Sequence, residues 1–434
     1  MDFNAQMLIS AWNGILLNFF GAFTLPTAQT FTEMATAWII ATGRRTVCTI
    51  YSFVDPNGRR AHDAYHRFFP DAAWEMSELW KIWIRLLAAR YYPEGKVPLI
   101  LDDTLFHKTG RKVDGASWWR DAVRSTKRQV VKALGLNLVV IVMRVNPPWG
   151  GEPIGIPVHV RLHRKNGTGP LQLAEEMMDD IARWLPESSF VLTADGFYAP
   201  LAGRDLPRTV LISRLRRDAA IYDLPPKRHR TQRGRPRKKG ERLPSPKEIA
   251  ENVQLWDYIE VNERGKIRYR MVYTLLVLWY GVCSDKPVKL VIVRDPDEIE
   301  KDDFFFTTDI GMSADEVVES YSGRWCVEDT FKNTKSVLGG EEPQVWKDGA
   351  PERASAFSLL LYGLVWVWYL EHGHGSVSLV KPLWYRQKLR PSFADALCAL
   401  RKVHWQFRIS PKSEHSPGLM ENLKHLIEAA AKAA

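Results

Sequence analysis

Three acidic residues stand where metal-dependent phosphodiester chemistry would need them. Asp103 closes the apolar run VPLILDD (Val97 to Asp103), and Asp195 closes SFVLTAD (Ser189 to Asp195). Glu328 lies in YSGRWCVEDTFKNTK (Tyr321 to Lys335), a polar helix candidate. A carboxylate at the end of a hydrophobic strand is carried to the rim of a sheet, where ligands collect. Three such groups repel one another unless cations sit between them, and Mg²⁺ prefers oxygen ligands.

Counting along the third segment tests the idea. At about 100° per residue, Tyr321, Arg324, Glu328 and Lys335 share one helical stripe, with Trp325 and Lys332 on or near it. Val327, Phe331 and Leu338 form an adjacent apolar stripe that would pack on a core. A carboxylate for metal, flanked by cations for phosphate, suits phosphoryl transfer on DNA. A solvated amphipathic face gives the same periodicity, so spacing alone leaves both readings open.

The same residues carry a family resemblance. Tyr321, two residues, Arg324, three residues, Glu328, six residues and Lys335 reproduce the Y-(2)-R-(3)-E-(6)-K signature of IS4-type DDE transposases. LDDTLFHKTG (Leu101 to Gly110) and TADGFYA (Thr193 to Ala199) resemble the two aspartate regions of those enzymes, and RGRPRKKGERL looks most like the IS701 branch. The resemblance spans residues 101–335. It implies Asp103, Asp195 and Glu328 as catalytic residues and ligands of two Mg²⁺ ions, with Mn²⁺ able to substitute. Tyr321, Arg324, Lys332 and Lys335 would contact DNA. Only one of the adjacent Asp102 and Asp103 can face the metals, because neighbouring strand residues point to opposite faces. By the resemblance the aspartate directly before the threonine is the ligand, which selects Asp103; Asp102 would hydrogen-bond locally or join through a bulge. Implied partners are double-stranded DNA, as transposon terminal inverted repeats and as target, and a second copy of the chain in the DNA complex. The implied setting is a bacterial, nucleoid-associated protein of the cytoplasm.

Charge points the same way. The chain has 434 residues and a net charge of +10, but Lys227 to Arg242 alone holds nine Lys/Arg against one acid. The remainder is nearly balanced, so one tract carries the bias toward a polyanion. Arg233, Arg235, Arg237, Lys238 and Lys239 are its candidate DNA contacts. RGRPR (Arg233 to Arg237) resembles an AT-hook core, which lies in a narrow minor groove. A basic loop gripping phosphates without sequence choice is the simpler reading.

Four scattered cysteines form no CxxC pair, so neither a disulfide scaffold nor a zinc site is expected. The absence of a Walker A loop and of HExxH argues against ATP-driven and zinc-protease chemistry. The apolar stretches at the N-terminus and at SAFSLLLYGLVWVWYL (Ser355 to Leu370) read as packed helices rather than membrane spans.

The expected architecture is α/β: an RNase H-like (retroviral integrase-like) catalytic core, interrupted by a β-rich insertion and preceded by a helical domain. Residues 1–92 read as a helical region that, by the resemblance, helps bind DNA ends. LILDD, LNLVVIVMRV, IGIPVHVRL, LQLAEEMMDDIARWL and VLTAD run in a βββαβ order, giving the first part of the core over 93–222. A basic, β-rich insertion covers 223–300, the core resumes with the glutamate helix over 301–395, and a helical tail fills 396–434. In some members of the resembling family a tryptophan of the insertion stacks a flipped base; Trp256 and Trp279 are the candidates for that role, although packing in a core is the safer reading of either.

Overall fold

The computed structural model describes residues 3–54, 60–226, 235–377, 379, 381, 386–409, 426–427 and 430–431. Five helices come first: α1 (Phe3–Leu17), α2 (Leu25–Ile40), α3 (Val47–Val54), α4 (His62–His66) and α5 (Met76–Tyr91). The run KVPLILDDTLFH then forms β1 (Lys96–His107). Its near-continuous apolar first half is the pattern of a strand covered on both faces.

β2 (Ser117–Arg120), a short strand that periodicity did not announce, precedes the hairpin of β3 (Lys132–Val145) and β4 (Ile154–His163). Next come α6 (Pro170–Trp184), β5 (Ser189–Ala194) and β6 (Thr209–Arg214). β1 pairs antiparallel with β3 and parallel with β5, and β5 pairs parallel with β6. α7 (Pro246–Asn252), β7 (Asp257–Glu263), β8 (Lys266–Val277), α8 (Tyr280–Cys283), β9 (Val288–Arg294) and β10 (Asp303–Thr307) follow.

These later strands do not form a sheet of their own. β10 pairs with β6 and β9, β9 with β8, and β8 with β7, so the ten strands among the described residues belong to one sheet. The region expected as an insertion therefore extends the first sheet sideways.

α9 (Ala314–Gly323), α10 (Cys326–Ser336), α11 (Ala350–Trp368) and α12 (Phe393–Ile409) complete the chain. α11 is the hub. Its Phe357 ring lies 5.7–5.9 Å from those of Phe31, Trp38, Phe68 and Phe69. Buried indole N–H groups tie the layers together: Trp38 donates to the Leu338 carbonyl, Trp83 to Pro157 and Trp368 to Leu8. One hydrophobic core thus runs from Leu8 in α1 through the sheet to Val403 in α12. The segment Ala350–Gly373 is long and apolar enough to cross a membrane, but 89% of its apolar window is buried inside the protein. α12 runs straight across the 395/396 boundary expected from sequence and packs on α1 and α2.

On the outer face of β4, the Asp180 carboxylate of α6 accepts from His159 Nε2 (3.1 Å) and Arg161 (2.6 Å). The His159 hydrogen bond and the Arg161 charge together outweigh burial and hold that carboxyl down at about 2. Burial pulls the His159 imidazole down, against its hydrogen bond to Asp180. An unfolded aspartate titrates near 3.9. The stabilisation is therefore complete above about pH 4 and is lost as pH falls through about 2. Asp180→Asn is expected to cost about 2 kcal/mol at pH 7 and to flatten acid unfolding between pH 4 and 2, measured by urea titration at fixed pH.

Candidate active site

β1 and β5 run parallel in a register that sets Leu101 beside Ala194, so Asp102, inside β1, lies level with Asp195, just past the end of β5. Ser213 Oγ of β6 donates to the Asp195 carbonyl (2.7 Å), and the Phe197 amide donates to Asp195 Oδ1 (3.0 Å). These two bonds hold the turn after β5 in place.

Glu328 is brought in by close packing of α10 on β4. Gly155 allows it: a Cβ there would meet Thr330 Oγ1 at 2.9 Å and the Cys326 carbonyl at 3.2 Å. In its absence the Thr330 hydroxyl donates to the Gly155 carbonyl at 2.7 Å.

The helix expected to carry the whole signature is broken. α9 ends at Gly323, and the chain passes through Arg324 and Trp325 with i→i−3 hydrogen bonds before α10 begins. Tyr321 thus belongs to α9, and Glu328 and Lys335 to α10. The tight turn points Arg324 inward, where its guanidinium bonds Asp102 Oδ2 (2.7 Å) and Glu328 Oε1 (3.1 Å). That cation links the first strand to the third acid.

Asp103, the next residue along β1, has other partners. The hydroxyl of the buried Tyr198 lies 3.4 Å from Asp103 Oδ1, and the Asn137 side chain also bonds its carboxylate. Burial pushes the Asp102 carboxyl up to about 7, against the pull of Arg324, and Asp195 and Asp103 add to the rise. Burial and Asp195 raise Asp103 as well, and burial with the surrounding carboxylates raises Tyr198. Four carboxylates with one shared guanidinium make a strongly acidic pocket of oxygen donors. Those donors suit Mg²⁺ or Mn²⁺, which would relieve the repulsion. Arg324 stands between Asp102 and Glu328, so admitting cations requires it to release at least one of them.

The other expected residues scatter. The Tyr321 ring packs on Phe305 (4.4 Å) beneath Arg214, and burial raises its hydroxyl. Lys332 is exposed, whereas Lys335 lies over the Phe106 ring and burial lowers its ammonium. In the basic tract, Arg233 lies outside the described residues. Arg235 is exposed, Arg237 pairs with Glu241 (3.0 Å) and Lys238 with Asp285 (3.8 Å). Lys239 rests on the Tyr222 ring, 3.7 Å from its centroid. Trp279 is buried against Phe306, and Trp256 stacks under Arg294.

Sequence reasoning missed one feature entirely. A recess of about 430 Å³ opens beside Arg324, lined by Arg214, Arg264, Lys266, Arg268, Tyr321 and Trp325 among others. The two-residue turn Arg264-Gly265 joins β7 to β8 with positive φ at both positions (54° and 73°), the twist that tight hairpins favour. Gly265 is needed for a second reason: a Cβ there would stand 2.2 Å from the Gly151 Cα in the β3–β4 loop. The hairpin tip lays Arg264 on the exposed Trp325 ring (4.4 Å). The signal was present in NERGK, a turn between two strands, but nothing in the sequence said what it would touch.

The family model described as DDE superfamily endonuclease matches residues 18–269. The chain belongs to that family. The match takes in β1 and β5 with their aspartates and stops short of α10, so Glu328 owes its place to the fold. No curated protein is similar enough to count as a match. A DDE endonuclease built on a mixed α/β fold acts as a nuclease or transposase.

Proposed function

We propose that this DDE endonuclease is a DNA transposase of the IS4 type, of the IS701 branch, that cuts at the ends of an insertion sequence and joins the 3′ ends to target DNA. The observation that carries the reading is the Arg324 bridge: it brings a β1 carboxylate and the α10 glutamate together beside the aspartate at the end of β5. The strand order β4-β3-β1-β5-β6, with β1, β5 and β6 parallel, supports an RNase H-like core, with β7–β9 as the β-rich addition.

Asp195 and Glu328 keep the roles the resemblance gives them. For the first ligand, the strand faces favour Asp102 over Asp103, because Asp102 shares the side of β1 that meets Glu328. These three carboxylates would hold two Mg²⁺ ions, which when bound activate the attacking oxygen and stabilise the leaving oxygen. Arg324, freed from one carboxylate, swings its guanidinium onto a backbone phosphate in a bidentate contact. Tyr321 backs that arginine. Arg264 and Trp325 form a stacked plate at the rim, able to receive an unpaired base or the sugar-phosphate backbone beyond the cut. Lys332 and Lys335 line α10 for the flanking duplex, and two copies would pair the two ends.

Mg²⁺-dependent cleavage of DNA carrying the element's own ends, compared between wild type, Asp195→Ala and Glu328→Ala, tests the reading. Cleavage and joining by wild type alone supports it. Cleavage without joining leaves a simple nuclease, and binding without cleavage in Mg²⁺ or Mn²⁺ leaves a DNA-binding relic.

The basic tract makes a separate prediction. Arg237 and Lys238 sit in exposed ion pairs worth about 0–1 kcal/mol, easily exchanged for phosphates. Replacing Arg235, Arg237 and Lys238 by alanine is expected to reduce the slope of log K against log salt by about 0.9 per lost contact, about 2.7 in all. An unchanged slope in fluorescence-anisotropy titrations places the tract off the DNA.

A further inference from the structure

Far from the carboxylates, α3 and α4 bring three soft donors to one point. Cys48 lies in the first turn of α3; His62 and His66, four residues apart, share one face of the single turn α4. Cys48 Sγ is 3.5 Å from His62 Nε2 and 3.6 Å from His66 Nε2, and the two nitrogens are 3.0 Å apart. Among the described residues this is the group of His, Cys, Asp and Glu whose ligand atoms all lie within 4.8 Å of one another.

Protons leave one side of that triangle without a hydrogen bond. Each imidazole Nε2 carries either a hydrogen or a lone pair, so at most two of the three sides can be linear hydrogen bonds. A cation at the centre takes all three lone pairs. Tetrahedral zinc, with Zn–S of about 2.3 Å and Zn–N of about 2.0–2.1 Å, requires S···N separations of about 3.5 Å and N···N of about 3.3 Å. The observed spacings fall close to both.

The surroundings hold the donors ready. Tyr51 sets its ring edge-on to His62 (5.2 Å, 86°). Tyr65 donates to Glu33 at 3.0 Å and Arg60 pairs with the same carboxylate, which anchors α4 to α2. A helix of one turn is not stable alone and needs such external ties.

We propose that Cys48, His62 and His66 form a structural site for a borderline-soft divalent ion of the zinc class, clipping α4 to α3. Binding replaces the Cys48 thiol proton, which leaves to solvent as the sulfur–metal bond forms; water takes the fourth position, since Cys48 and His62 are exposed. Thiolate and imidazole donors separate this site from the oxygen site that would hold Mg²⁺.

The test uses the full-length, reduced protein titrated with Co²⁺ and read by absorption. A sulfur-to-cobalt charge-transfer band with the intense visible bands of a four-coordinate ion is expected, displaced by one equivalent of Zn²⁺. Cys48→Ser should lose the charge-transfer band, His66→Gln should weaken Co²⁺ binding by roughly tenfold or more, and Asp195→Ala in excess Mg²⁺ should keep both. Chelation should lower the Tm of wild type and leave that of Cys48→Ser unmoved. No band in wild type, or a band that persists in Cys48→Ser, overturns the proposal.

Discussion

Glu328→Gln is expected to lower Mg²⁺-dependent DNA cleavage about a thousandfold, equivalent to about 4 kcal/mol of transition-state stabilisation. The amide keeps the size of the side chain but loses the charge that a divalent ion needs. DNA affinity should stay within a few-fold of wild type, because the phosphate-binding cations are untouched. Stability should also hold: the Glu328 side chain is 38% exposed and its bond to Arg324 spans one helical turn, so its net worth is small. Single-turnover cleavage assays, with binding and Tm measured on the same preparation, separate these effects. A variant that cleaves within tenfold of wild type removes Glu328 from the chemistry, and with it the role proposed for α10.

Asp102→Asn and Asp103→Asn should behave oppositely. Asp102 faces Arg324 and Glu328, and its loss is expected to reduce cleavage about a thousandfold; Asp103 faces Tyr198 and Asn137, and its loss should cost less than tenfold. A stability measurement goes with the pair. The Asp102 carboxyl is pushed up to about 7 when folded, against about 3.9 unfolded. The folded state therefore holds the extra proton, and stability from this group is lost as pH rises from about 4 through 7. Asp102→Asn escapes that loss, so in chelator at pH 8 its Tm should equal or exceed that of wild type while its cleavage is gone. The reverse pattern, cleavage lost in Asp103→Asn and kept in Asp102→Asn, restores the ligand that the family resemblance selects.

Much of the site was legible because local patterns decide it. Apolar runs ending in an acid announce strands, and β5 delivers Asp195 at its end, whereas β1 continues past Asp102 and Asp103 to His107 because its polar second half still pairs with β3. The stripe through Tyr321, Arg324, Glu328 and Lys335 was legible as a spacing but not as a shape. Gly323 weakens the helix there, its missing Cβ makes room for the Arg144 guanidinium that would otherwise stand 2.8 Å away, and the resulting break turns Arg324 inward. No periodicity reports such a break. Where the β-rich region would attach was not legible for a related reason: β7 to β9 join the sheet through β10 and β6, and edge pairing is a long-range choice that alternation within a strand cannot record.

Cys48, His62 and His66 mark the limit most clearly. Paired-cysteine arithmetic excludes zinc from sequences without close Cys spacing, yet α3 and α4 bring three donors together across thirteen and three intervening residues. What the amino-acid sequence by itself determined here is the inventory of acids, cations and strands, because strand and helix preferences act over a few residues. What only tertiary structure decided is which acid faces the glutamate, which cation is shared and which histidines meet the thiol. Those outcomes depend on register, helix breaks and packing between segments that lie far apart in the chain.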